Sequence, residues 1–512
     1  MAASQGRLAG SVAAGIVVAR LLGFIRERVF AHYFGNSPAA DAFRAALKIP
    51  NVIRNLLGEG TLAASFVPVY AALLERGEKE EARRLASTMA SLLVLITAAS
   101  ALLGIVLAPV ITDFAAPGFS GDTRDLTVRL VEILFPMSGV MILSAWCLGV
   151  LNTHGKFFLS YAAAGMWNVA QIAVLVALGG YLLGARLVTA LAWGALAGSL
   201  LQVAVQLPTA LKLAGRLRWE LSLGLASVRR VIRNWGPVVV GAGVVQISSI
   251  VDTQLASLLS GGAVAMLGYA QLLATLPLSL FGVSIAAAAL PELSRDAASD
   301  ARQELASRIS DSLRRLGFYI IPSAFALASL GSWLVAALFQ TGRFGASDTE
   351  LVAGVVAAYA IGLPAQASVK LLASGHYALG DTKTPVRIAV ASVVTSAALA
   401  FVLMKRLGVA GIALGSGLGA YLNLALNYAT LERKVGRLWG AGHNRDFAAA
   451  GLGAVLASGA AILVGSRLGS PWAAAVASSI GFGLVFGVVT LAAGHPDAAA
   501  LVRRFKLRSA RS

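Results

Sequence analysis

Residues 18–60 read VARLLGFIRERVFAHYFGNSPAADAFRAALKIPNVIRNLLGEG. The pattern predicts two apolar helices joined by a short turn, each long enough to cross a bilayer of ~30 Å hydrocarbon thickness. Yet the stretch carries Arg20, Arg26, Glu27, Arg28, Asp41, Arg44, Lys48, Arg54 and Glu59. An ionisable side chain at membrane depth costs at least ~2.5–3.5 kcal/mol on insertion scales, so such a cluster is expected to face protein or water and to serve a function. The expectation is a hairpin that lines a water-filled, cationic cavity suited to an anionic headgroup.

The remainder of the chain has the composition of a polytopic membrane protein. Of its 512 residues, 57% are hydrophobic and 13% charged, far from a soluble domain. Apolar runs rich in Ala, Gly, Leu and Val recur throughout, as in helices that pack closely in lipid. The longest polar connections, near 74–84, 212–233 and 292–316, are too short to bury a core. Cys147 is the single cysteine, which excludes a disulfide framework within the chain and a cysteine-based metal site. No cleavable signal is evident before the first apolar run.

About fourteen spans are expected, near 8–34, 39–72, 85–112, 127–151, 157–183, 186–211, 234–260, 264–291, 317–339, 351–378, 386–404, 409–431, 446–466 and 472–494. Pro50, Pro68, Pro136 and Pro277 mark candidate kinks. Lys and Arg gather in one set of alternate connections, while the other set holds only Arg124, Arg186, Arg343, Lys405, Arg406 and Arg467. That asymmetry places both termini in the cytoplasm. It also accounts for the net charge of +18 through loops lying beside anionic lipid, with no nucleic-acid partner. ADAFRAALKIP (40–50) followed by AASFVP (63–68) has an echo in GYAQLLATLP (268–277) followed by AAAALP (286–291), the mark of duplicated halves. The expected division is 1–215 and 216–437 as two six-helix bundles, with 438–512 supplying two more spans and a basic tail.

On an ideal helix Glu27 lies about 20° from Arg20 and Arg26 about 120° away, so Arg20 and Glu27 share a face. Asp41, Arg44 and Lys48 fall on one stripe at i, i+3, i+7. Several guanidiniums with a few carboxylates suit an oligoanion such as a pyrophosphate, because arginine stays charged and presents a planar fork of donors to phosphate oxygens. Arg28, Arg44 and Lys48 also fit helix ends or side chains that snorkel to an interface. Arg20 and Glu27 also fit a purely structural pair. Arg26 and Arg54 have no obvious single local partner. Glu59, within GEG, fits either a cavity position or a helix distortion, and Lys370, isolated in the tenth span, either a cavity or a structural role. The five histidines are scattered without metal-ligand spacing, and no nucleotide-binding loop or catalytic arrangement stands out. Neither a metal nor a cofactor is expected, and enzymatic turnover is not.

ARLLGFIRE (19–27), ADAFRAALKIPNVIRNLLGEG (40–60) and FVPVY (66–70) together resemble the N-terminal signature of the MurJ (MviN) lipid II flippases, within the multidrug/oligosaccharidyl-lipid/polysaccharide exporter superfamily. APGF (116–119), GVLNTHGKF (149–157), LFQTGRF (338–344) and GDTKTPVRIA (380–389) follow in the expected order. The resemblance implies an all-α protein of about fourteen transmembrane helices, with two six-helix bundles around a central cavity and a hydrophobic groove toward the last two spans. It implies a non-enzymatic transporter in the bacterial cytoplasmic membrane that moves lipid II, the undecaprenyl-pyrophosphate-linked peptidoglycan precursor, to the outer leaflet by alternating access. Lipid II, membrane lipids and the cell-wall synthesis machinery are then the expected partners. Family cavity residues carry over to Arg20, Arg26, Asp41 and Arg54, with Glu27 in place of the usual Asp and Glu59 in the matching acidic position. One departure stands out: Leu272 sits where the family commonly has a further cavity arginine. Lys370 is a candidate substitute, and export of another polyprenyl-linked polysaccharide precursor is the alternative function.

Overall fold

The computed structural model describes residues 2–259, 261–299, 301–440 and 442–509, as backbone alone at 2–13, 59, 237, 240–242, 244, 245 and 504–509. Among the described residues every regular element is a helix, as expected where backbone polar groups must be satisfied within each segment. In chain order these are α1 (Ala2–Phe34), α2 (Pro38–Ala46), α3 (Lys48–Leu57), α4 (Glu59–Glu75), α5 (Lys79–Val106), α6 (Ala108–Ala115), α7 (Gly121–Thr153), α8 (Phe157–Ala162), α9 (Ala164–Leu178), α10 (Gly184–Ala214) and α11 (Ala226–Ser257). They are followed by α12 (Ala263–Pro277), a π-helical turn at Leu278–Val283, α13 (Ser284–Ala298), α14 (Arg302–Phe339), α15 (Ala346–Ala378), α16 (Lys383–Val435), α17 (His443–Gly465), α18 (Pro471–Ala492) and α19 (Pro496–Ser509).

The chain divides into two compact units, Met1–Ala265 with Thr341–Phe344, and Met266–Gln340 with Gly345–Ser512. This differs from the division expected at 215/216. α11 joins the first unit because it packs on α3 and α4. The C-terminal pair α17 and α18 joins the second because both helices pack on α14.

Eleven helical stretches among the described residues are long and apolar enough to cross a membrane. The set takes α16 once and omits α1 and α11, of 33 and 32 residues. α16 is a hairpin: Gly408 has φ 54° and ψ −135°, a conformation closed to other residues. Beyond it the chain doubles back. A Cβ added at Gly411, Gly415 or Gly419 would collide with Leu403, Ala400 or Ser396 respectively. Glycine at every fourth position lets the two arms approach backbone to backbone.

In the first unit α7 is the central helix, packed against α2, α3, α4, α5, α6, α8 and α10. Its core includes Leu62, Phe66, Tyr70, Leu85, Trp146 and Val150. In the second unit Phe318 and Leu330 of α14 pack with Ala454, Ala457 and Ala461 of α17 and with Phe482 and Phe486 of α18. The spacing of those alanines gives α17 a smooth stripe. The Ser478 hydroxyl donates to the Ala461 carbonyl across the seam at 2.9 Å.

The second expected span is broken into α2, α3 and α4. The sharp break comes at Gly58 (φ −105°, ψ −131°) and not at the expected Pro50. Pro50 sits in the first turn of α3, where a missing N–H costs nothing. A Cβ at Gly58 would lie 2.4 Å from the Arg54 carbonyl oxygen, which explains glycine there. The Thr61 hydroxyl donates to the Leu56 carbonyl at 2.7 Å, satisfying a carbonyl at the break. Pro277 immediately precedes the π-helical turn, where the ladder widens before α13 resumes.

Candidate functional site

The charged hairpin assembles around one carboxylate. Glu27 of α1 accepts from Arg26 Nη2 at 2.6 Å through Oε1 and from Arg44 Nη2 at 2.7 Å through Oε2. All three side chains are largely withdrawn from solvent, at 12% exposure for Glu27 and 17% for each arginine. Arg26 Nε is buried without a hydrogen-bond partner. Aromatic faces support both cations: the Arg26 guanidinium lies 4.7 Å from the centre of the Trp167 ring, and that of Arg44 lies 5.1 Å from that of Phe30.

Arg54 of α3 has a different partner. Its Nη1 donates to the Met141 sulfur of α7 at 3.2 Å. Among the described residues no carboxylate stands within ion-pair distance of it. Arg44 and Arg54 both act electrostatically on Arg26, so the three guanidiniums share one field, in which Glu27 is the carboxylate bonded to two of them. Lys48 extends that field and feels the charges of Arg44 and of Asp252 on α11. Such a group repels cations and receives an anion with several oxygens.

The expected residues do not all join this cluster. Arg20 is exposed and, among the described residues, has no ion-pair or hydrogen-bond partner. Two turns separate it from Glu27 by ~10.5 Å along the axis, and Arg44 takes the carboxylate oxygen instead. Asp41, 2% exposed, accepts from the backbone N–H of Gly262 at 2.5 Å and of Ala265 at 2.7 Å. It therefore caps the first turn of α12, with its carboxylate facing that turn's free N–H groups. The Glu59 side chain lies outside the described residues. Lys370 is exposed on α15 in the second unit, and Leu272 is half-buried on α12. Arg44, expected at a helix end or interface, is a central member of the cluster. The sequence signal for it was its place on the Asp41 stripe. Trp167 and Met141 carried no signal, being ordinary apolar residues in apolar helices.

The second unit contains an apolar pocket of about 860 Å³ lined by residues of α14, α15, α16 and α17 with Trp439, among them Ile320, Phe325, Tyr421, Leu424 and Phe447. Among the described residues no group of His, Cys, Asp and Glu is placed to hold a metal ion.

The family model of lipid II flippase MurJ matches residues 30–482. The lipid II flippase MurJ of Burkholderia cenocepacia is 34% identical over 425 residues, covering 82% of each chain. The probable lipid II flippase MurJ of Rhizobium tropici is 33% identical over 434 residues, covering 82% of this chain and 79% of that one. Among solved structures, a lipid II flippase MurJ in an inward closed conformation superposes with a TM-score of 0.79 at 23% identity, over 94% of this chain and 97% of that one. A multidrug resistance MATE family transporter of the MOP superfamily, inward-facing, gives a TM-score of 0.67 at 14% identity, over 82% of this chain and 95% of that one. The fold is thus shared with transporters of different cargo, while sequence identity and the family model narrow the choice: this chain belongs to the lipid II flippase MurJ family.

Proposed function

We propose that this protein carries lipid II from the cytoplasmic to the outer leaflet of the bacterial inner membrane by alternating access, with Arg26, Arg44 and Arg54 receiving the diphosphate. The Glu27-bridged arginine pair, with Arg54 close enough to act electrostatically on Arg26, is the observation that carries this assignment. A diphosphate cannot enter hydrocarbon without losing its hydration. Fixed guanidiniums replace that hydration, and alternating access exposes the loaded site to each side in turn. Each elementary charge moved through the field is worth ~2.3 kcal/mol per 100 mV, so the membrane potential can drive or reset the cycle. The apolar pocket of the second unit is the proposed berth for the polyprenyl tail. Both termini lie in the cytoplasm in this scheme, and the cell-wall synthesis machinery consumes the cargo.

Replacing Arg26 or Arg54 with Ala is expected to abolish rescue of cells depleted of their own flippase while membrane levels stay normal. Full rescue by both variants would refute the assignment. A second reading, transport of another undecaprenyl-pyrophosphate-linked glycan, is favoured by Leu272 in place of a cationic residue. Proteoliposomes loaded with lipid II or with such a glycan separate the two by which headgroup crosses.

A further inference from the structure

α7 places one sulfur atom against an arginine of the cluster and a second against the tryptophan that backs another. Met137 and Met141 are one helical turn apart and lie on one face. Both are buried, at 0% and 3% exposure. The Met141 sulfur accepts from Arg54 Nη1 at 3.2 Å. The Met137 sulfur accepts from Trp167 Nε1 at 3.4 Å, and the Trp167 ring in turn lies 4.7 Å from the Arg26 guanidinium carbon. At these positions α7 therefore meets the cluster through a thioether and, via the ring, through a π face. Neither carries charge. Glu132, one turn and a half before Met137, is exposed.

The choice of acceptor has a chemical consequence. A guanidinium in apolar surroundings needs something to fix its plane, and a carboxylate does this at the cost of neutralising it. A thioether is a weak, uncharged acceptor. Arg26 and Arg44 share one carboxylate, whereas among the described residues the hydrogen-bond partner of Arg54 is the Met141 sulfur. We infer that Met141 is a positioning residue whose thioether orients Arg54 without neutralising it, so that Arg54 meets the diphosphate with its full charge and sets the preference for pyrophosphate over monophosphate. This inference rests on the proposed transport of a diphosphate-linked lipid and adds to it the residue that orients one binding cation through an uncharged acceptor.

The test uses the purified full-length chain in detergent, with undecaprenyl pyrophosphate and undecaprenyl phosphate as probes and the thermal midpoint recorded for each variant. Met141→Gln keeps a neutral acceptor of similar length and is expected to bind pyrophosphate within about threefold of the parent. Met141→Leu keeps the apolar bulk without the acceptor and is expected to lose about fivefold, the scale of one modest hydrogen bond. Met141→Glu places a carboxylate against Arg54 and is expected to lose about thirtyfold or more and to erase the preference for pyrophosphate. Leu binding as tightly as the parent, or Gln binding as weakly as Leu, overturns the inference even if the Glu variant does not fold. Equal weakening by Gln, Leu and Glu with lowered midpoints also overturns it, because Met141 is then only packing. Parent-like binding by Arg54→Ala instead overturns the proposed headgroup site itself, so the two failures are distinguishable.

Discussion

Glu27 and Asp41 are carboxylates of the same hairpin, both withdrawn from water, and they do different things. Glu27 faces two side-chain cations, at 2.6 and 2.7 Å. Asp41 faces two backbone N–H groups at the start of α12, at 2.5 and 2.7 Å. The first arrangement leaves a net positive charge, since two guanidiniums share one acid. The second consumes the carboxylate in closing a helix end. Acidic residues in a membrane hairpin are thus not equivalent evidence for a binding site, and their partners decide which role each plays.

Of the changes at these two carboxylates, Glu27→Ala has the largest expected effect. It leaves Arg26 and Arg44 facing each other without their common acid, a loss of about 2–4 kcal/mol after allowing for partial exposure. Lipid II transport in proteoliposomes is expected to fall at least about tenfold, with weakened binding of undecaprenyl pyrophosphate. Unchanged binding with only a lower thermal midpoint would make Glu27 a structural residue like Asp41 and dissolve the contrast.

Much of the fold was legible because the signals were local. Apolar runs of sufficient length became helices, and the charges of residues 18–60 lie on α1 to α4 of the first unit. The rest depends on distant or silent partners. The backbone partners of Asp41 lie 221 and 224 residues away in the chain, so no local pattern marks it as a helix cap. Arg20 and Glu27 do share a helical face on an ideal wheel, but Arg44 arrives from α2 and pairs with Glu27 first. The break in the second span falls at Gly58, where any larger residue would meet the Arg54 carbonyl oxygen, while Pro50 is harmless in a first turn. The division of the chain follows packing of α11 on α3 and α4, which no repeat in the sequence records.

Asp41→Ala should act on stability. Removing the carboxylate leaves two buried N–H groups without acceptors, at about 1–3 kcal/mol. The thermal midpoint of the purified protein is expected to fall, while undecaprenyl pyrophosphate affinity per folded molecule stays within about twofold of the parent. A drop in affinity at an unchanged midpoint would move Asp41 back among the ligand-binding residues.

Asp41→Asn sharpens the same point with a smaller change. The amide keeps one carbonyl oxygen, so one of the two N–H groups retains its acceptor, and the other meets an NH₂ group that cannot accept. The charge-assisted character of both bonds is lost as well. The cost should be roughly 1 kcal/mol, below that of Ala. A helix cap predicts this ranking in thermal midpoint, parent above Asn above Ala, with affinity flat across the series. If the negative charge of Asp41 served the ligand or the arginines, Asn and Ala would instead alter undecaprenyl pyrophosphate binding to the same extent, because both remove the charge.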